Sequence, residues 1–232
     1  MIEKRSFESF GRFQNEWLNA RHHFSFGGYF DPSRMGWGRL RVWNDDEIQP
    51  GQGFAPHPHQ DMEIITYVRN GAITHKDSLG NEGRTEAGDV QVMSAGSGIR
   101  HSEYNQEDEL TRIFQIWILP DSQGGAPSWD AMEFPKGEKA GGFVTLASND
   151  PKANGGLMIR ADAKVLGATL QAGQEVSYEL PKGRQAYLAL AAGSVEVNGV
   201  ELNARDGAAI RDVDSLTIKA SEDAELVMVE TD

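Results

Sequence analysis

Residues 51–71, GQGFAPHPHQDMEIITYVRNG, carry both the fold and the chemistry of this 232-residue chain. Residues 63–69 (EIITYVR) form an apolar, β-branched run that stops at Asn70-Gly71, a pair suited to the left-handed turn of a tight hairpin. The strand that returns from Ala72 ends in another turn, Asp77-Ser78-Leu79-Gly80-Asn81. Val90, Val92 and Met93 then form a short strand after Ala87-Gly88-Asp89. Residues 112–119 (RIFQIWIL) are apolar on both faces except for Gln115, the pattern of a strand covered on two sides. Helical periodicity is poor, with at most a turn or two around Asp130 to Met132. Short strands separated by turns predict an all-β protein built from jelly-roll-like barrels. Residues 120–142 (PDSQGGAPSWDAMEFPKGEKAGG) read as a linker, which sets a first domain at 1–135 and a second at 136–232.

A weak internal repeat supports two tandem barrels. Gly51-Gln52 is followed by Gly71, and Gly173-Gln174 by Gly193, at a common offset of 122. Gly88 corresponds to Gly207 at an offset of 119, because the second hairpin, turning at Asn198-Gly199, is shorter.

Pro56-His57-Pro58-His59 is the sharpest chemical signal. On a strand, residues i and i+2 leave the same face with Cα atoms roughly 6.8 Å apart, so His57 and His59 can grip one ion. The two prolines lack amide hydrogens on one side of the strand, which suits a sheet edge. A second same-face pair, His101 and Glu103, follows the turn Ala95-Gly96-Ser97-Gly98. Three imidazoles and a carboxylate suit one divalent transition metal ion, iron foremost, with copper, zinc, nickel and manganese also served. They suit calcium poorly. At the repeat offsets His57 maps to Glu179, His59 to Pro181, Glu63 to Gln185 and His101 to Ala220, while Glu103 maps to Glu222. The second barrel is thus expected to hold no metal.

Composition narrows the partners. With 22 Lys and Arg against 35 Asp and Glu, the formal charge is −13, which opposes direct nucleic-acid binding and anionic membranes. Cysteine is absent, so disulfides, thiolate metal sites and cysteine nucleophiles are excluded. No apolar run approaches the ~18 residues of a membrane span, and the cytoplasm is the expected compartment.

The residues Gly51-x5-His57-x-His59-x3-Glu63-x7-Gly71 resemble the first cupin motif, one residue longer before its last glycine. Gly88, Gly98, His101 and Asn105 resemble the second. The stretches HHFSFGGYFDPSRMGWGRLRVWNDDEIQPGQGFAPHPHQDMEIITYV and QVMSAGSGIRHSEYN resemble the pirin family, particularly its bacterial quercetinase-like members, strongly over about the first 120 residues. The resemblance implies a bicupin whose N-terminal barrel is active, with the metal on His57, His59, His101 and Glu103. It also implies a quercetin 2,3-dioxygenase-type activity on a flavonol and O2, in which Glu103 or Glu63 takes the 3-hydroxyl proton as general base. The alternative the family offers is a non-catalytic, redox-responsive regulator acting through protein partners.

Other residues rank lower. Gln115 is a candidate for the pocket. His22 and His23 are adjacent, and neither is expected to be a ligand. His75, between a strand and its turn, is expected at the surface. Asp45-Asp46-Glu47 reads as a solvated acidic turn. Trp37, Trp43 and Trp117 read as core before substrate platform.

Overall fold

The computed structural model describes residues 1–133 and 142–232. Strand β1 (Ile2–Arg5) and a 3-10 turn (Phe7–Ser9) come first, followed by β2 (Gly11–Gln14), β3 (Leu18–His22), β4 (Leu40–Ile48), β5 (Gly53–His59), β6 (Glu63–Asn70) and β7 (Ala72–Asp77). Next come β8 (Glu82–Glu86), β9 (Asp89–Ser94), β10 (Ile99–Tyr104), β11 (Thr111–Ile118) and β12 (Ser128–Glu133). The second half holds β13 (Val144–Ser148), the short helix α1 (Pro151–Asn154), β14 (Leu157–Met158), β15 (Ala163–Leu170), β16 (Glu175–Glu179) and β17 (Gln185–Ala192). It closes with β18 (Ser194–Val197), β19 (Val200–Asn203), β20 (Gly207–Ile210), β21 (Ser215–Ala220) and β22 (Ala224–Thr231).

Each half is a cupin-type barrel of one seven-stranded and one four-stranded sheet. The first has orders β12-β9-β6-β11-β4-β3-β2 and β5-β10-β7-β8; the second has β1-β20-β17-β22-β15-β13-β14 and β16-β21-β18-β19. The hairpins sit where the Gly turns require them: Gly71 and Gly193 both have positive φ (73° and 75°), and β6 and β17 begin at Glu63 and Gln185, the offset of 122. Strand β1 pairs with β20, Ile2 opposite Ile210, so the chain's first strand belongs to the second barrel's sheet rather than to the first. The boundary expected at 135/136 lies outside the described residues.

The largest core lies between the two barrels. Trp43, Ile65, Phe114 and Ile116 of the first large sheet pack with Val165, Tyr187, Val227 and Val229 of the second. This is why 112–119 is apolar on both faces: Phe114 and Ile116 face the other barrel, while Ile113 faces its own. The inner faces differ. The second barrel encloses one continuous apolar cluster, including Leu188, Ala208, Leu216, Ile218 and Met228. The first encloses two smaller ones, around Ile48 and Ile73 and around Ile64 and Met93, with polar groups between.

Three local expectations are corrected. Asp130 to Met132 lie in the edge strand β12, paired with β9, and are not helical; tertiary pairing overrides the weak local signal. Asp45-Asp46-Glu47 is no solvated turn but part of β4, with Asp45 fully buried and Asp46 2% exposed. His75 is also fully buried. Asp45 is tolerated because Arg69 donates to it and Arg205 reaches across from the second barrel, Nε to Oδ2 at 2.6 Å and Nη2 to Oδ1 at 3.1 Å. Arg205 also donates to Glu47 at 3.0 Å.

Removing Arg205 leaves the fully buried Asp45 with Arg69 as its remaining cationic partner, so its charge is compensated only in part. Arg205→Ala is therefore expected to lower the unfolding free energy by about 3 kcal/mol, read by urea denaturation. A change within about 0.5 kcal/mol, typical of a surface substitution, would show that the inter-barrel pair adds little.

Candidate metal centre

Strand β5 is an edge strand, as its two prolines require, and lies beside β10 with His57 opposite His101. Between Phe54 and His57 it carries one more residue than β10 carries between Glu103 and His101. The result is a bulge at Ala55-Pro56, where the missing amide hydrogen of proline does no harm. His57, His59 and His101 converge at the mouth of the first barrel, with one ring nitrogen of each within 4.8 Å of the others. The His57 Nδ1–H donates to the Ala55 carbonyl at 2.8 Å, which leaves Nε2 as the free lone pair. That Nε2 stands 3.1 Å from Nε2 of His101. Two nitrogens bound to one ion at about 2.0–2.1 Å are separated by about 3.0–3.4 Å, so the pair already has ligand spacing. Burial holds His59 down to about 4 and His101 down to about 3, with the neighbouring histidines adding to it. Both rings are therefore neutral at physiological pH and can donate a lone pair without first losing a proton.

Glu103 is 1% exposed and sits one step deeper, grouped with His101 and His75 rather than with all three mouth histidines. Its Oε1 accepts from Thr66 Oγ1 (3.0 Å) and Gln91 Nε2 (2.7 Å), and its Oε2 accepts from Gln115 Nε2 (2.7 Å). Three neutral donors from β6, β9 and β11 thus fix the carboxylate. Oε2, with a single hydrogen bond, retains lone-pair capacity. Gln115 stands out as polar in an apolar strand because of this contact.

His75, expected at the surface, lies directly behind His101. Its Nε2 donates to Asp77 Oδ2 at 2.9 Å, and its Nδ1 lies 3.4 Å from His101 Nδ1, the outer limit of a hydrogen bond. An ionised carboxylate only accepts, so the proton order runs from His101 to His75 to Asp77 and leaves His101 Nε2 free toward His57. Burial would raise the Asp77 carboxyl, but hydrogen bonds from His75, Asn81 and the Leu79 backbone hold it below its usual value. Trp129 of β12 stacks on His75, centroids 4.9 Å apart and planes 8° from parallel. Gly83 is needed beneath it, since a Cβ there would come within 2.2 Å of the indole. A histidine ending a strand before a turn gave no local sign of this burial.

Glu63 is not beside the histidines. Alternation from His59 would bring it there, but the chain leaves the strand at Asp61, which adopts a positive φ of 50°. Thr66, three residues on, faces Glu103; Glu63 faces the other way and accepts from Ser94 Oγ. Burial pushes its carboxyl up, opposed by hydrogen bonds from Ser94 and the backbone of Arg160. His22 and His23 are both buried, bonded to Asn44 Oδ1 and Tyr187 Oη at 2.8 Å each, and among the described residues neither joins a metal-ligand group. Trp43 is core, while Trp117 stands edge-on to His59 with centroids 5.0 Å apart.

One opening reaches the centre at His59, and a second lies behind Gln115, the residue that bonds Glu103. A solvent-facing hollow of about 460 Å³ is lined by His59, Ser78 and Arg100. A more enclosed cavity of about 220 Å³ has a polar wall of His22, Asn44, Asp46 and Gln115, with Phe26 and Phe54 among its apolar groups.

The shared strand pairing shows what the second barrel lacks. Glu103 lies opposite Phe54 and His75; at the offset of 122 these become Val176 and Val197, which lie opposite Ile218. Glu103 therefore corresponds to Ile218 and His101 to Leu216, not to Glu222 and Ala220, because a second shortening precedes β21. Thr66, Gln91 and Gln115 likewise correspond to Leu188, Ala208 and Met228. All five counterparts are fully buried and apolar.

Two variants test these placements. His75→Phe keeps a ring against Trp129 but removes the relay, and should weaken metal binding about 10–100-fold, measured by chelator competition. Glu63→Gln should keep full metal stoichiometry and raise the melting temperature at neutral pH. A carboxyl whose folded pKa is raised favours the folded state below its unfolded value of 4.5 and loses that advantage as pH rises through the folded value, so the gain should vanish in acid. Loss of metal in Glu63→Gln would contradict its placement.

Residues 3–118 match the family model Pirin, and residues 145–231 match that of the quercetinase C-terminal cupin domain. A Caulobacter vibrioides pirin-like protein is 65% identical over 230 residues, 99% of each chain. The quercetin 2,3-dioxygenase of Escherichia coli K12 is 38% identical, over 98% of this chain and 97% of its own. The crystal structure of the Escherichia coli pirin YhhW in complex with nickel(II) superposes with a TM-score of 0.93 at 38% identity, covering 100% of this chain and 99% of that one. With a cupin barrel in each half and pirin sequence across the first, the chain belongs to the pirin family.

Proposed function

We propose that this protein is a metal-dependent dioxygenase of flavonols, acting on quercetin or a close relative, with the ion held by His57, His59, His101 and Glu103. The observation that carries this reading is the convergence of three imidazoles, His57 and His101 already at ligand spacing, beside a carboxylate oriented by three donors. A largely apolar cavity alongside adds to it. The names of the relatives point the same way. The donor set suits iron first and admits nickel, copper, manganese or zinc. Such an ion supplies Lewis acidity to a substrate oxygen and, where redox-active, a path for electrons to dioxygen.

The chain's own residues have separable tasks. Glu103 is the general base: Oε2 accepts the proton of the flavonol 3-hydroxyl, while Thr66, Gln91 and Gln115 keep the carboxylate from turning away. Asp77 and His75 hold the tautomer of His101. Trp117, Phe26 and Phe54 give the planar substrate apolar surfaces and keep water from the reacting face.

The test is turnover. Protein loaded separately with Fe(II), Ni(II), Cu(II), Mn(II) and Zn(II) should bleach the flavonol band of quercetin in air and consume O2 with at least one redox-active ion. His57→Ala/His101→Ala should lose both bound metal and activity. Rates no higher than the metal-only blanks with every ion would exclude the dioxygenase reading. Retained metal in the double variant would exclude the ligand set.

A further inference from the structure

Asp46 is among the residues that line the enclosed cavity, and the fold does not account for its carboxyl. It is 2% exposed, and its Oδ1 has no hydrogen-bond partner. Its neighbours do not welcome a charge: burial first, then the carboxylates of Asp45 and Glu103, push its pKa well above the usual carboxylate range. A buried polar group left unpaired is costly, and such groups are retained where a ligand completes them. The second barrel shows that the architecture does without it. Asp46 lies opposite Ile113 as Ala168 lies opposite Leu226, and Ala168 is fully buried in the apolar core.

The surroundings specify what would complete it. Asn44 Oδ1 is taken by His22, and the Gln115 amide nitrogen by Glu103, so these two wall groups are already engaged. Phe26 and Phe54 line the same space. At about 220 Å³ the cavity is smaller than the roughly 300–1,000 Å³ of whole-ligand pockets, so it receives part of a ligand. A flat aromatic ring carrying a hydroxyl fits both the apolar sides and the waiting acceptor.

We propose that Asp46 anchors a ring hydroxyl of the substrate, its carboxyl accepting a hydrogen bond from a phenol remote from the hydroxyl that meets the histidines. The proposal rests on the flavonol reading above. It makes Asp46 a specificity residue that selects hydroxylated rings over bare ones.

The experiment is an anaerobic binding titration of the Zn(II)-loaded protein, followed by tryptophan fluorescence. Quercetin is compared with 3-hydroxyflavone, which keeps the 3-hydroxyl but has bare rings. Asp46→Leu should weaken quercetin about tenfold and leave 3-hydroxyflavone within about twofold. Asp46→Asn, which keeps an acceptor oxygen, should recover most of the loss. Melting temperatures of both variants should equal or exceed that of the parent, since an unpartnered buried acid is removed. Where Asp46→Leu does not fold, Asp46→Ala, the residue of the second barrel, makes the same comparison. Unchanged quercetin affinity, equal loss of both flavonols, or a lower melting temperature in every variant would overturn the assignment. A parent protein that binds neither flavonol would instead overturn the flavonol reading, and the anchor with it.

Discussion

The two seven-stranded sheets meet face to face, and Trp43, Phe114 and Ile116 of one pack against Val165, Tyr187 and Val229 of the other. Burial of apolar area drives this contact, as it drives any core. Its consequence is that each large sheet is anchored from outside its own barrel. The first barrel can therefore give part of its inner face to polar groups and still be held in shape. The second barrel, anchored in the same way, instead fills its interior with apolar side chains such as Leu188, Leu216, Ile218 and Met228.

The barrels are the same device in two states. At five matched positions the first has His101, Glu103, Thr66, Gln91 and Gln115, where the second has Leu216, Ile218, Leu188, Ala208 and Met228. An apolar set packs without further conditions. A polar set must satisfy every member, because low dielectric makes each unpaired group costly. Glu103 meets that condition with three donors, and His101 with His75 and Asp77. Asp46 stands out against this background because its Oδ1 does not meet it.

Charge is managed across the same interface. Asp45 faces outward from the first barrel and is met by Arg69 and Arg205, while Asp46, its neighbour in sequence, faces inward beside Glu103. Strand alternation thus sends two adjacent acids to different tasks, one joining the barrels and one lining a cavity. The N-terminal strand adds a further tie, since β1 completes the second sheet at the edge where β12 completes the first.

Much of this was legible from local pattern. The Asn70-Gly71 hairpin, the doubly apolar strand at 112–119, the edge position of Pro56 and Pro58, and the pairing of His57 with His59 all follow from period-two geometry and backbone chemistry, which act over a few residues. What local pattern could not determine is which face a side chain takes after the strand is broken, or which strand lies behind it. Asp61 breaks the alternation and turns Glu63 away. A shorter connection before β21 moves the counterpart of Glu103 from Glu222 to Ile218. His75, read as a surface group, is buried because Trp129 of β12 closes over it, and Asp46, read as part of a solvated turn, is buried because β4 turns it into the first barrel. Ligand type and spacing reside in the chain itself. Burial, partners and the direction a side chain faces come from long-range pairing, and the tertiary structure alone decides them.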